Sequence, residues 1–141
     1  WFKAAAYALT LFNEAGVPCV FWGDFLGSPE SDDLPAVREL PILMELRARA
    51  AVGPQHNAFD HPDVVGFARE GKDEIPGSGC AVILSDRMAA EKTLYVGTRH
   101  AGQEWECIIG GHPSVHVADD GTLTGGVSEG GLSVYVPRRS A

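Results

Sequence analysis

One stretch constrains the fold of this chain more than any other: residues 17–25, VPCVFWGDF, an almost unbroken apolar run that closes on Gly23 and Asp24. A short run of valine and aromatic residues, apolar at successive positions, suits a strand covered on both faces, as in a parallel sheet. Helical patterns stand on either side of it. WFKAAAYALTLFNEAG is rich in Ala and Leu, is apolar nearly all round, and reaches Gly16, a natural residue for the position just past a helix. After the polar loop LGSPESDD, the stretch LPAVRELPILMELRARAAVG returns to helical period. Asp32 or Asp33 can cap this second helix and Pro35 suits its first turn. Pro41 predicts a kink or two consecutive helices, while Arg47 and Arg49 fall near the last turn and Gly53 just beyond it. A lone parallel strand between two helices leaves both of its edges unpaired. Residues 1–52 therefore predict part of a larger α/β assembly. The chain also opens on Trp1, without Met, inside a helical pattern, as a piece of a longer protein does.

From residue 54 the period changes. DVVGFARE, GCAVILSD, KTLYVGTR, EWECIIG, SVHVAD, GTLTGGV and GLSVYVPR read as short strands. The segments between them are rich in turn residues. That spacing predicts an antiparallel sandwich of Greek-key type, with the boundary between the two regions near residues 51–54. Gly125-Gly126 and Gly130-Gly131 read as hairpin turns around Ser128 and Glu129.

A formal net charge of −8 disfavours a nucleic-acid role carried by phosphate contacts. No apolar run reaches the roughly 18 residues that a membrane-spanning helix requires. Cys19, Cys80 and Cys107 are odd in number and widely spaced, which argues against a disulfide framework and against zinc. Cys19 and Cys80 lie in apolar runs and read as small buried hydrophobes. Thiols that look unpaired lean toward a reducing compartment, although the localisation itself is left open.

At this point the residues carry a resemblance. GVPCVFWGD and the block GPQH…DHPDVVGFAREG, with WFKAAAYALTLFNEAG before them and SVYV at the close, resemble the C-terminal part of alpha-amylases of glycoside hydrolase family 13. The likeness runs over residues 1–137 and is nearest the bacterial liquefying type and its fungal intracellular relatives. It implies that residues 1–52 are the C-terminal end of a catalytic (β/α)8 barrel, with VPCVFWGD as its eighth strand. Residues 53–141 are then the Greek-key β-sandwich called domain C. It implies retaining hydrolysis of internal α-1,4 bonds in an α-glucan by an Asp nucleophile, a Glu acid/base and a second Asp, all N-terminal to Trp1. The resemblance thus assigns no catalytic residue to this chain, leaves its substrate-binding residues open, and makes the missing barrel portion its structural partner.

In some liquefying members of the family a calcium ion bridges barrel and sandwich, and the resemblance implies one for the whole protein. Carried over by position, its ligands fall on the His56 carbonyl, on Asn57 and on Asp86. Asn57 stands where the family has Asp, which keeps an oxygen donor and loses a charge. Asp24 reads by default as a strand-end carboxylate accepting hydrogen bonds at the barrel mouth, with support of the active site and direct catalysis as the alternatives. Trp22 reads as barrel packing, with sugar stacking as its alternative. The cluster Gln55, His56, Asn57, Asp60, His61 and Asp63 reads as surface or interdomain hydrogen bonding, and its His spacing is not that of a zinc site. His100, His112 and His116 read as solvated or structural. Trp105, Cys107 and Ile109 alternate and so share one core face. Two other functions stay open: a non-catalytic carbohydrate-binding or interaction sandwich, and another family 13 enzyme such as a transglycosylase. The binding module requires a row of exposed aromatics; the strands carry Phe67, Tyr95, Trp105 and Tyr135, but these sit singly in alternating runs and make no obvious platform.

Overall fold

The structure is a computed structural model and describes residues 2–28, 30 and 35–139. Asp32 and Asp33, the expected helix caps, lie outside the described residues. Among the described residues three helices come first: α1 (Lys3–Phe12), α2 (Trp22–Leu26) and α3 (Leu40–Arg49). Eight strands follow: β1 (Gln55–Ala58), β2 (Val64–Arg69), β3 (Cys80–Ser85), β4 (Ala90–Tyr95), β5 (Glu104–Ile109), β6 (Val115–His116), β7 (Thr122–Val127) and β8 (Leu132–Pro137). A single 3-10 turn, Thr98–His100, separates β4 from β5.

The strands form two antiparallel sheets, one of six strands in the order β1-β2-β3-β8-β5-β6 and one pairing β4 with β7. Their alternation sorts the core into two layers. Ala81, Ile83 and Tyr135 face Leu94, Leu123 and Val127 of the small sheet. Cys80, Val82, Leu84, Val134 and Val136 face the opposite way, against Ala8, Leu11 and Phe12 of α1 and Leu40, Leu43 and Leu46 of α3. All six residues of β3 are buried. An unbroken apolar run therefore marks a strand covered on both faces here too, although its sheet is antiparallel.

Tyr135 joins the two sheets, its Oη accepting from Gly126 N at 2.8 Å. A Cβ on Gly125 would meet the Tyr135 ring at 2.6 Å, so Gly125 is bare to make room for it. Gly125 and Gly126 thus lie inside β7 and not in a hairpin turn, contrary to the sequence expectation. The turn expectation holds nearer Gly130, which has a positive φ of 60°. Trp105 is fully buried in the layer between the sheets, with Cys107 against it. Ile109 packs on the helix side instead, because a register shift between Cys107 and Ile109 turns the strand over.

The helical region departs most from expectation. Among the described residues, 17–21 carry no strand, and residues 22–26 form the short helix α2. A strand needs a neighbour to satisfy its backbone, and none lies beside this one. Its apolar side chains are correspondingly open: Val17 is 92% exposed, Trp22 61% and Phe21 55%. Cys19 is exposed as well, whereas Cys80 is buried as expected. Burial pushes the Cys80 thiol up to about 12, so it packs as a neutral group. Helix α1 ends at Phe12, four residues before Gly16, because Asn13 is already extended. Pro41 does not kink a helix. It occupies the first turn of α3, where the missing N–H has no intrahelical partner to lose, and Pro35 lies ahead of the helix. Arg47 and Arg49 sit in the last turn as expected.

Candidate functional site

Asp24 is the one buried carboxylate among the described residues. It sits in the first turn of α2, where a negative charge is favoured by the helix dipole. Both of its oxygens are taken. Lys3 Nζ donates to Oδ1 at 2.5 Å and Tyr7 Oη donates to Oδ2 at 2.5 Å. Lys3 and Tyr7 are four residues apart on α1, so they project from one face of it. Tyr7 Oη also accepts from Phe21 N–H at 3.3 Å, and the Asp24 carbonyl accepts from Val37 N–H at 2.6 Å. Asp24, through its side chain and its backbone carbonyl, and Tyr7 thus tie together α1, the turn that begins α2, and the segment leading into α3.

The electrostatics follow from these contacts. The Lys3 hydrogen bond first, then that of Tyr7, holds the Asp24 carboxyl below the usual carboxylate range. Donation to the same carboxylate raises the Tyr7 phenol above its ordinary value. Ionised Asp24 is acceptor-only, and a cation and a phenol occupy its two oxygens. No second carboxyl is among its hydrogen-bond partners.

A second feature, not anticipated from the sequence, fixes the other end of α1. Arg69 on β2 is buried, with Nε donating to the Gly53 carbonyl at 2.9 Å and Nη1 to the Phe12 carbonyl at 2.8 Å. Arg47 Nη1 donates to the Leu11 carbonyl beside it. Two guanidinium groups thus satisfy carbonyls that the helix end leaves without intrahelical donors. Burial lowers the Arg69 pKa without removing its charge. Glu14 and Gln55 complete the joint, Glu14 N donating to Gln55 Oε1 at 2.7 Å. The signal for Arg69 was a cation ending an apolar strand pattern. Its partner is 57 residues away, beyond the reach of spacing rules.

The residues proposed for calcium lie on one strand and just past the end of another. His56 and Asn57 are neighbours on β1, whereas Asp86 follows β3, and β2 runs between them. In register, Asn57 lies opposite Phe67 and Phe67 opposite Val82, four residues before Asp86. The Glu70 N–H to Pro54 carbonyl bond sets the parity of the β1–β2 ladder, which turns the His56 carbonyl toward β2. The His56 ring meets Glu70 Oε2 at 3.0 Å, Asn57 Oδ1 accepts from Gln55 Nε2 at 2.7 Å, and Asp86 pairs with Arg87 at 3.5 Å. The donors are oxygens of the kind calcium takes. Among the described residues no group of three or more His, Cys, Asp or Glu could hold a metal ion. His61 is engaged locally, its Nδ1 accepting from Asp63 N–H, and Asp60 pairs with Lys92 of β4. His100 is a structural histidine, with Nε2 donating to the Glu70 carbonyl at 2.6 Å and the ring edge-on to Trp105.

The four strand aromatics divide by burial. Phe67, Trp105 and Tyr135 are core residues, and only Tyr95 of the four reaches the surface, at 40% exposure.

No family model matches the chain. An alpha-amylase of Geobacillus stearothermophilus is 39% identical over 142 residues, which covers 99% of this chain and 26% of that protein. A glucan 1,4-alpha-maltohexaosidase of Bacillus sp. (strain 707) is 40% identical over 138 residues, 96% of this chain and 26% of the relative. Among solved structures, an alpha-amylase from Malbranchea cinnamomea superposes with a TM-score of 0.63 at 14% identity, over 94% of this chain and 32% of that one. That likeness extends the shared fold beyond the range of close sequence identity, and the antiparallel sheets match the C-terminal β-sandwich of alpha-amylases. The chain spans about a quarter of the length of the curated relatives it matches. It is a homologue of alpha-amylases along nearly its whole length.

Proposed function

We propose that this chain is the C-terminal part of an alpha-amylase that hydrolyses internal α-1,4-glucosidic bonds of starch- or glycogen-type glucans with retention of configuration. Residues 1–52 are the end of its catalytic (β/α)8 barrel and residues 53–141 its Greek-key domain C. The observation that carries the reading is identity of 39% to an alpha-amylase over 99% of the chain, helices and sheets alike. The open apolar segment supports it. Val17, Phe21, Trp22 and Leu26 are the surface that neighbouring barrel strands and helices cover.

The chemistry divides accordingly. Retaining hydrolysis needs two carboxyl groups about 5–5.5 Å apart, one attacking the sugar and one protonating the leaving oxygen. Asp24 is engaged on both oxygens and serves neither role. The residues of this chain hold scaffold: β3 and β8 form a floor, α1 and α3 lie on it, and the Asp24 and Arg69 contacts fix where the segment between them stands. A binding module in place of an enzyme would need an exposed aromatic row, and three of the four strand aromatics are buried.

Calcium is proposed for the whole enzyme only. The His56 carbonyl, Asn57 and Asp86 supply fewer oxygens than the six to eight calcium takes, so ligands from outside this chain would complete the site, and no reaction step depends on it. Melting the whole enzyme and its Asn57→Asp variant with and without calcium tests this. A calcium-dependent rise in Tm, larger for Asn57→Asp, supports it, and unchanged Tm in both dismisses it. The functional reading itself is tested by the reading frame preceding Trp1. It should encode a barrel with three acidic catalytic positions, and a frame without them would sink the reading.

A further inference from the structure

The contact set at Asp24 is built in a way that packing alone does not require. Three polar side chains from two separate segments converge at 2.5 Å, at a residue 8% exposed, beside a stretch whose apolar side chains are open. A buried carboxylate needs donors on both of its oxygens. This one has a cation and a phenol, and the phenol reaches on to the backbone N–H of Phe21. The set therefore fixes a backbone position as well as a charge. The backbone it fixes is the turn from Phe21 to Asp24, where Asp24 N–H closes on the Phe21 carbonyl at 3.0 Å.

We propose that Lys3 and Tyr7, acting through Asp24, are positioning residues for glucan hydrolysis, holding the 21–24 turn in the one conformation that the active-site rim of the whole enzyme needs. This rests on the alpha-amylase reading. Asp24 is neither a catalytic residue nor a substrate ligand here, because its two oxygens are committed within the chain. The turn transmits their hold to whatever the rim contacts, and the loss of any one member loosens the same element.

The test is steady-state hydrolysis of soluble starch by the whole enzyme and its Asp24→Asn, Tyr7→Phe and Lys3→Met variants, with the Tyr7→Phe/Asp24→Asn double variant. Assays are run well below each variant's Tm, so that a global loss of folding does not enter. The expected result is a fall in kcat of about five- to twentyfold for Asp24→Asn with KM changed less than twofold. Tyr7→Phe and Lys3→Met should show smaller losses, and the double variant should be no worse than Asp24→Asn alone, as residues acting through one contact are. Additive losses, or unchanged kcat in all variants, would overturn the proposal. So would a rise in KM confined to Asp24→Asn, which would make Asp24 a substrate ligand. If the unmodified whole enzyme releases no reducing sugar from starch, the alpha-amylase reading fails with it. Activity in that enzyme combined with additive variants removes the positioning role alone.

Discussion

The two regions of this molecule bury their apolar residues by different means. In the sheet region both faces of the central strands are covered: Ile83 and Tyr135 meet the small sheet, while Val82 and Val134 meet the helices. In the helical region α1 and α3 each bury one face on the large sheet, and the segment between them leaves Val17, Phe21 and Trp22 in the open. Polar contacts take over where packing stops. Arg69 and Arg47 hold one end of α1, and Lys3 and Tyr7 grip Asp24 from the other. Apolar area stabilises the sheets, and directed hydrogen bonds locate the helical piece. The second arrangement suits a segment whose apolar surface belongs against further chain.

The contrast can be broken or sharpened by substitution. Trp105→Ala empties the largest fully buried side chain from the layer between the sheets and should cost about 3–5 kcal/mol, read from urea denaturation. A loss near 1 kcal/mol would mean that the sheets do not share one packed core. Arg69→Met keeps the length of the side chain but leaves the Phe12 and Gly53 carbonyls without their donor. It should cost about 2 kcal/mol, concentrated in faster hydrogen exchange through α1. Uniform exchange across the sheets would contradict the assignment of Arg69 to the helix joint.

Acid should act on the Asp24 end selectively. Its folded-state pKa is depressed below 3.8, so its stabilising contribution is present above pH 3.8 and is lost as pH falls through the lower folded value. The Tm difference between the native chain and Asp24→Asn should therefore be constant near neutrality and shrink below pH 3.8. A difference that persists to the lowest pH would show that ionised Asp24 is not what Lys3 and Tyr7 hold. The smallest effect belongs to Val17→Ser. At 92% exposure it should change the stability of this chain by less than about 0.5 kcal/mol, and a larger loss would mean the segment is already buried.

Much of this was legible in the residues, for identifiable reasons. The strand patterns of β2, β3, β5, β7 and β8 fall within a residue or two of where they form, because alternation and turn residues are local signals. Strand β1 was not read as a strand, since Gln55-His56-Asn57 is polar and sits on the edge of the sheet. The run at residues 17–21 carried a strand's composition but has no partner to pair with, so its pattern did not become structure. At the candidate site, Asp24 was singled out correctly as a hydrogen-bond acceptor. Its donors, 21 and 17 residues away on α1, were not. Four-residue spacing put Lys3 and Tyr7 on one helix face, yet nothing local says what that face meets. Gly125 and Gly126 failed for the same reason, because the ring that demands them comes from β8.

The account rests on this chain being scaffold to a catalytic barrel whose acids lie elsewhere. Reducing-sugar release from soluble starch, measured side by side for residues 1–141 alone and for the longer protein that contains them, tests it most directly. The expected result is no release above blank by the 141 residues and sustained release by the longer protein. Hydrolysis by the 141 residues alone would contradict it.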